Sequence, residues 1–174
     1  MGMSRKLVVA ALAALGILGI SGAANAQILR PLTTAQSPSF TYVFAEYDYY
    51  SATGGSANGG GIGAGWRINR WLGLQGAGQY TSRSGVNMYN GYLEAMLLLP
   101  LGDRLSLYGS AGAAYARAST RVLGVTVSAD GSGYRAGVGM EYWMSSRWSL
   151  RLGAHRQNAG GVVDNYSAGV GFRF

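Results

Sequence analysis

The sequence predicts an all-β chain, an eight-stranded antiparallel up-and-down transmembrane β-barrel with a filled polar lumen. Three observations carry this. Eight segments alternate apolar and polar side chains over about 9–11 residues, the length a tilted strand needs to cross a bilayer. Short connections alternate with longer ones rich in Gly, Ser and Asn. Aromatic residues gather near both ends of the segments, where a barrel wall would meet the two membrane interfaces.

Residues 1–26 read as a secretory signal peptide. Arg5 and Lys6 precede an apolar run from Leu7 to Ile20, and SGAANA then supplies a small-residue cleavage site at Ala24-Asn25-Ala26. That run is shorter than the ~20 apolar residues a spanning helix requires. Residues 27–39, with Pro31 and Pro38, read as a short periplasmic N-terminal segment, and residues 40–174 as the barrel.

The eight strands are expected at 40–50, 59–68, 71–81, 89–99, 105–116, 133–143, 148–157 and 165–174. The connections at Asn69-Arg70, Pro100 to Arg104 and Met144 to Arg147 are short, as periplasmic turns are; those around 51–58, 82–88, 117–132 and 158–164 are expected as extracellular loops. All four Trp flank short turns: Trp66 and Trp71 at the first, Trp143 and Trp148 at the third. Tyr47, Tyr49, Tyr50, Tyr80, Tyr89, Tyr92, Tyr115, Tyr134 and Tyr166 lie towards the other end, giving a second girdle.

Parity separates the two faces of each strand. The second segment sets Ile62, Ala64, Trp66 and Ile68 against Gly61, Gly63, Gly65 and Arg67, and the fourth sets Leu93, Ala95, Leu97 and Leu99 against Tyr92, Glu94 and Met96. Continued around the chain, the inward set holds Glu46, Asp48, Arg67, Glu94, Arg135, Glu141, Arg151 and Arg173, beside Gln75, Gln79, Tyr108 and His155. An eight-stranded barrel is just wide enough for side chains to fill. Charges enclosed there cost several kcal/mol each unless paired, so an internal network of ion pairs and no open channel is expected. Arg156 breaks the parity near the outer rim; with Arg83, Arg117 and Arg121 it is a candidate contact for lipopolysaccharide phosphates.

Composition narrows the alternatives. Removing the signal peptide leaves 12 basic residues, all Arg, against 7 acidic ones, a formal charge of +5. An exported basic chain meets lipid phosphates and not a genome, so nucleic acid is no expected partner. There are no Cys and one His, which argues against a transition-metal site, and no cofactor is expected. GGGIGAG at Gly59 to Gly65 lacks the G-x-G-x-x-G spacing and leads into a strand, so it does not read as a phosphate loop.

The phrases LSLYGSAGAAYA and GYRAGVGMEYWMSSRWSLRLGA and the closing GFRF resemble the small outer-membrane β-barrel superfamily, which includes the OmpA-like transmembrane domain, OmpX-like barrels and opacity-type porins. The resemblance covers nearly all of residues 27–174 and implies a location in the outer membrane of a Gram-negative bacterium. It also implies an assembly signal, read by the barrel-assembly machinery, on Tyr166, Ala168, Val170, Phe172 and Phe174. Members range from adhesins and anchors to enzymes, so the fold alone supplies no activity. A second, local similarity is to the active-site region of lipid A 3-O-deacylases, which implies roles for His155 and Asp164; there Gln157 stands where the nucleophilic Ser is expected, and an amide cannot attack an ester. The sequence is therefore read as a non-enzymatic barrel with a structural or surface-interaction role, its outer loops meeting lipopolysaccharide or external partners. The alternative is a lipid A-modifying hydrolase.

Overall fold

The computed structural model describes residues 39–53, 55–83, 85–122 and 125–174, so the signal peptide and nearly all of the segment 27–39 lie outside the described residues. Every regular element among them is a strand: β1 Phe40–Ala52, β2 Gly55–Arg67, β3 Leu72–Arg83, β4 Val86–Pro100, β5 Leu105–Val122, β6 Val125–Trp143, β7 Trp148–Asn158 and β8 Val162–Arg173. Each pairs antiparallel with its neighbours in sequence, and β8 returns to β1 to close the barrel. The closing ladder runs from Tyr42↔Arg173 to Ser51↔Asp164. The Phe174 N–H extends it by donating to the Thr41 carbonyl at 3.3 Å. Closure leaves no unpaired edge within the wall, the condition for a sheet to stand in hydrocarbon.

The alternation read from the sequence is the alternation of burial. Tyr42, Phe44, Asp48 and Tyr50 of β1 are buried while Val43 and Tyr47 between them are exposed. On β4 the pattern is regular from Tyr92 to Leu99, with Leu93, Leu97 and Leu99 outside and Tyr92, Glu94, Met96 and Leu98 inside. The outward side chains are apolar because their surroundings are lipid, and their exposure in the isolated chain is the mark of that face.

Inward glycines make room for the large side chains opposite them. Gly65 lies across the β1–β2 ladder from Tyr42, and any side-chain carbon there would collide with the Tyr42 ring. Gly133 on β6 is needed for a different reason, since the Asn158 carbonyl at the end of β7 crosses directly over it.

The outer ends differ from expectation. The segments 51–58, 82–88 and 117–132 are mostly strand, and the last forms a hairpin in which β5 and β6 pair without interruption out to Val122↔Val125. Small and polar residues made this stretch look like a loop, but Thr120, Val122, Val125, Thr126 and Val127 are β-branched and suited to a pleated ribbon. The outer connections are therefore tight and the ribbons long, while the connections at the other end hold four residues each, 68–71, 101–104 and 144–147.

Trp143 is a second correction. The sequence sets it in one girdle with the other three Trp, but it is 3% exposed and points into the lumen, where Tyr50 and Tyr92 of the opposite girdle are buried as well. Parity decides it, because Trp143 stands two residues from Glu141 and shares its face. Its ring meets Phe40 edge-on with centroids 5.5 Å apart, closing the lower end of the lumen. Trp66, Trp71 and Trp148 are exposed on the outside.

Candidate functional site

The lumen is filled by a connected set of polar side chains from seven of the eight strands. At the periplasmic end, Glu141 on β6 is the hub. Arg67 on β2 donates to its Oε2, which also receives the Trp143 indole N–H at 3.2 Å. Its Oε1 faces Arg151 Nε at 3.7 Å and takes the Ser149 hydroxyl at 3.5 Å. Arg151 on β7 donates onward to the Gln75 side-chain carbonyl and stacks 4.3 Å over the Phe44 ring.

Gln75 then carries the chain upward, donating from its amide to Glu94 Oε2 at 3.0 Å. The other oxygen of Glu94 lies 3.0 Å from Arg135 Nε, and both side chains are fully buried. Arg135 also reaches Gln79 Oε1 at 3.4 Å and Asn165 Oδ1 at 3.2 Å, with its guanidinium 4.1 Å over the Tyr92 ring. A cation enclosed this way is held by charge, hydrogen bonds and an aromatic face together, which offsets the loss of its hydration.

Four carboxylates were expected to meet four guanidiniums. The ion pairs described in the lumen instead join three arginines, Arg67, Arg135 and Arg151, to two carboxylates, Glu94 and Glu141. Glu46 accepts from the Gln79 amide at 2.8 Å and the Tyr92 hydroxyl at 3.0 Å, and Asp48 accepts from the Asn165 amide at 2.9 Å. Arg173 lies 4.1 Å over the Phe40 ring. The reason is height along the barrel. Arg173 pairs across from Tyr42 at the lower end of β1, while Asp48 pairs across from Ser167 far above it. Gln75 and Gln79, which parity sets on the inward face, supply bridges between the charged groups together with Asn165, which the sequence reading did not name among the inward set.

His155 is buried against the lumen wall over Gly137, near Ser167 and Tyr108 at Gly153. The deacylase-like pairing of His155 with Asp164 is not formed. Asp164 is on the outward parity of β8 and is held by Arg156, which donates to it twice at 2.7 and 3.1 Å. The wall of the barrel separates the two residues, and Gln157 is buried on the lumen side with His155. The neighbourhood therefore offers an enclosed imidazole without a carboxylate to orient it and without a hydroxyl in the nucleophile position.

Of the proposed rim contacts, Arg83 and Arg117 are exposed, and the Arg83 guanidinium lies over Gly55. Arg156 is exposed but already engaged by Asp164. The Arg121 side chain lies outside the described residues. On β8, Tyr166, Ala168, Val170 and Phe174 are exposed along the outer face, and Phe172 on the same parity packs between Trp148, at 5.0 Å, and Phe174, at 5.6 Å.

The chain matches the family model for an outer membrane protein beta-barrel domain over residues 10–174. Among curated proteins, none matches. Among solved structures it is similar to the N-terminal β-barrel domain of Pseudomonas aeruginosa OprF, at 20% identity and a TM-score of 0.65, covering 79% of this chain and 98% of that one. It is also similar to the attachment invasion locus protein Ail of Yersinia pestis, at 18% identity and a TM-score of 0.60, covering 78% of this chain and 97% of that one. A third similar structure is neisserial surface protein A, at 24% identity and a TM-score of 0.58, covering 79% of this chain and 98% of that one. At these identities the likeness establishes a shared fold.

Proposed function

Since the chain belongs to the outer membrane protein β-barrel domain family and resides in the outer membrane of a Gram-negative bacterium, we propose that it acts as a non-enzymatic, non-conducting surface barrel whose β5–β6 hairpin engages external partners. The carrying observation is the uneven pairing of β6. It pairs with β5 along its whole length, from Leu105↔Tyr142 to Val122↔Val125, but with β7 only as far as Tyr134↔Asn158. Residues 125–130 thus border the outside with one edge of backbone N–H and C=O groups unmatched among the described residues, whereas Gly131 and Gly133 lie against the backbone of 158–160. Val125 and Val127 on this stretch are 64% and 54% exposed. An edge of this kind is a template for strand addition by an extended segment.

Arg83 and Arg117 near the same rim are proposed to meet lipopolysaccharide phosphates, and the outward residues of β8 from Tyr166 to Phe174 to be read by the assembly machinery. The related fold of Ail has been crystallised with sucrose octasulfate, a heparin analogue, which supports a polyanion-facing role for such barrels. A strain in which residues 119–128 are replaced by Asn-Gly tests the proposal against strains with the full protein and with none. Surface adhesion is expected to fall to the level of the null strain, while resistance to bile salts stays with the full protein. Undiminished adhesion in the shortened strain would contradict the proposal.

A further inference from the structure

The opposite rim carries a construction that the surface role does not use. The three lower connections are built alike. In each, the first residue's N–H donates to the carbonyl four residues on: Ile68 to Leu72 at 3.0 Å, Leu101 to Leu105 at 2.8 Å and Met144 to Trp148 at 2.9 Å. The fourth position of each turn offers its carbonyl to a neighbouring strand or the residue at its end. The bonds are Leu98 N–H to Trp71, Trp143 N–H to Arg104 and Arg173 N–H to Arg147, at 2.7, 2.8 and 2.8 Å. Two of the turns are further fixed by a side-chain oxygen at the second position. Asn69 Oδ1 accepts from the Trp71 and Leu72 N–H groups at 2.8 and 2.9 Å, and Ser145 Oγ from those of Arg147 and Trp148 at 3.2 and 3.1 Å.

Each of these clamped turns presents one arginine: Arg70, Arg104 and Arg147. They precede Trp71, Leu105 and Trp148, so the sequence repeats a basic residue followed by a large apolar one at the foot of β3, β5 and β7. Trp71 and Trp148 are 42% and 49% exposed on the lipid side, and the Arg70 guanidinium lies 5.0 Å over the Trp71 ring. Exposed Trp marks the headgroup depth of a bilayer, because its ring suits the acyl boundary and its N–H the polar layer. A guanidinium held at that depth is placed for bidentate, charge-assisted hydrogen bonds to a phosphate oxygen pair. Asp103 brings the only carboxylate to these three turns.

From this arrangement we infer that Arg70, Arg104 and Arg147 form a basic collar that binds the phosphates of anionic phospholipids in the periplasmic leaflet. The collar covers the β2–β3, β4–β5 and β6–β7 feet, leaving only the sector where β1 and β8 close. Its rigid turns hold the charges at one depth, so the barrel is anchored from below as well as from above and its vertical position is fixed.

The test reconstitutes the purified protein in phosphatidylcholine bilayers and measures the association of spin-labelled phosphatidylglycerol relative to spin-labelled phosphatidylcholine. A preference of roughly fivefold is expected for the native chain, the size of one charge at an anionic surface. It should fall to about one in the triple variant Arg70→Gln, Arg104→Gln, Arg147→Gln and survive in the corresponding Lys variant, which keeps the charge. Heat-modified gel mobility confirms that each variant is folded, and single Arg→Gln variants stand in if the triple does not fold. The paired variant Arg83→Gln, Arg117→Gln, whose arginines lie at the outer rim, should lower the preference by less than the triple variant does. An unselective native chain, a preference that persists in the folded Gln variant, or one lowered at least as much in the outer-rim variant would each overturn the inference. So would loss of binding to peptidoglycan sacculi in the triple variant with lipid selectivity intact.

Discussion

Replacing Glu141 with alanine is expected to destabilise the barrel by about 3–5 kcal/mol, the cost of leaving a buried charge without its partner. Glu141 is 1% exposed and serves both Arg67 and Arg151, so its loss strands two guanidiniums at once. The Trp143 indole and the Ser149 hydroxyl would lose their acceptor as well. Glu141→Gln should cost less than Glu141→Ala, since an amide oxygen can still accept from Trp143 while its charge no longer balances Arg67. Combining Glu141→Ala with Arg67→Met should recover part of the loss, because one uncompensated charge has gone with its partner. Urea unfolding of the protein folded in lipid vesicles measures all three. Equal stability of Glu141→Ala and the native chain would show that the lumen is hydrated enough to solvate both arginines.

The second large effect is expected at two adjacent positions with opposite requirements. Leu93 is 64% exposed and stands midway along the outer face of β4 between Tyr89 and Leu99, whereas Glu94 is 1% exposed beside Arg135. Leu93→Arg places a charge in the hydrocarbon and should cost about 2–4 kcal/mol. Glu94→Leu removes a charge from the lumen and should also destabilise, because Arg135 then loses the carboxylate 3.0 Å from its Nε and keeps its hydrogen bonds to Gln79 and Asn165 and the Tyr92 ring. Leu93→Ala in lipid should be nearly silent by comparison. The pair is measured by the same vesicle unfolding, and a tolerated Leu93→Arg beside an intolerant Leu93→Ala would reverse the assignment of faces.

The faces were legible in the sequence because a strand repeats every two residues, so a single confident position fixes all the others on that strand. Ile62 against Arg67, and Leu93 against Glu94, suffice to orient β2 and β4. The face of Trp143 follows the same rule: it shares the parity of Glu141, and its place beside a turn does not change that. Which charges meet was not legible, because it depends on how far each strand is displaced along the barrel relative to its neighbours. The stagger sets Arg135 level with Glu94 and Asn165 and leaves Arg173 at the foot of β1, and it emerges only when the eight ladders close together. The β5–β6 hairpin was hidden for another reason. β5 stays paired with β4 as far as Thr120, but the facing residues of β6 outside Tyr134 pair with β5 alone and carry no apolar alternation strong enough to separate a ribbon from a loop.

Glutamine and asparagine prove as important to the lumen as the charges. Gln75 links the lower hub at Glu141 and Arg151 to Glu94, and Gln79 links Arg135 to Glu46. An amide can accept on one side and donate on the other, which lets a single column of hydrogen bonds pass between acidic and basic groups that do not touch. This column, and not a set of isolated pairs, runs through an interior that Tyr42, Phe44, Met96, Leu98 and Tyr108 also help to fill.

Planar-bilayer recording of the purified barrel tests that packed interior most directly. A lumen filled by Tyr42, Phe44, Met96, Leu98, Arg135 and Arg151 predicts no steady conductance above the bare membrane at physiological salt. Stable, large, long-lived open levels that scale with salt concentration would contradict it.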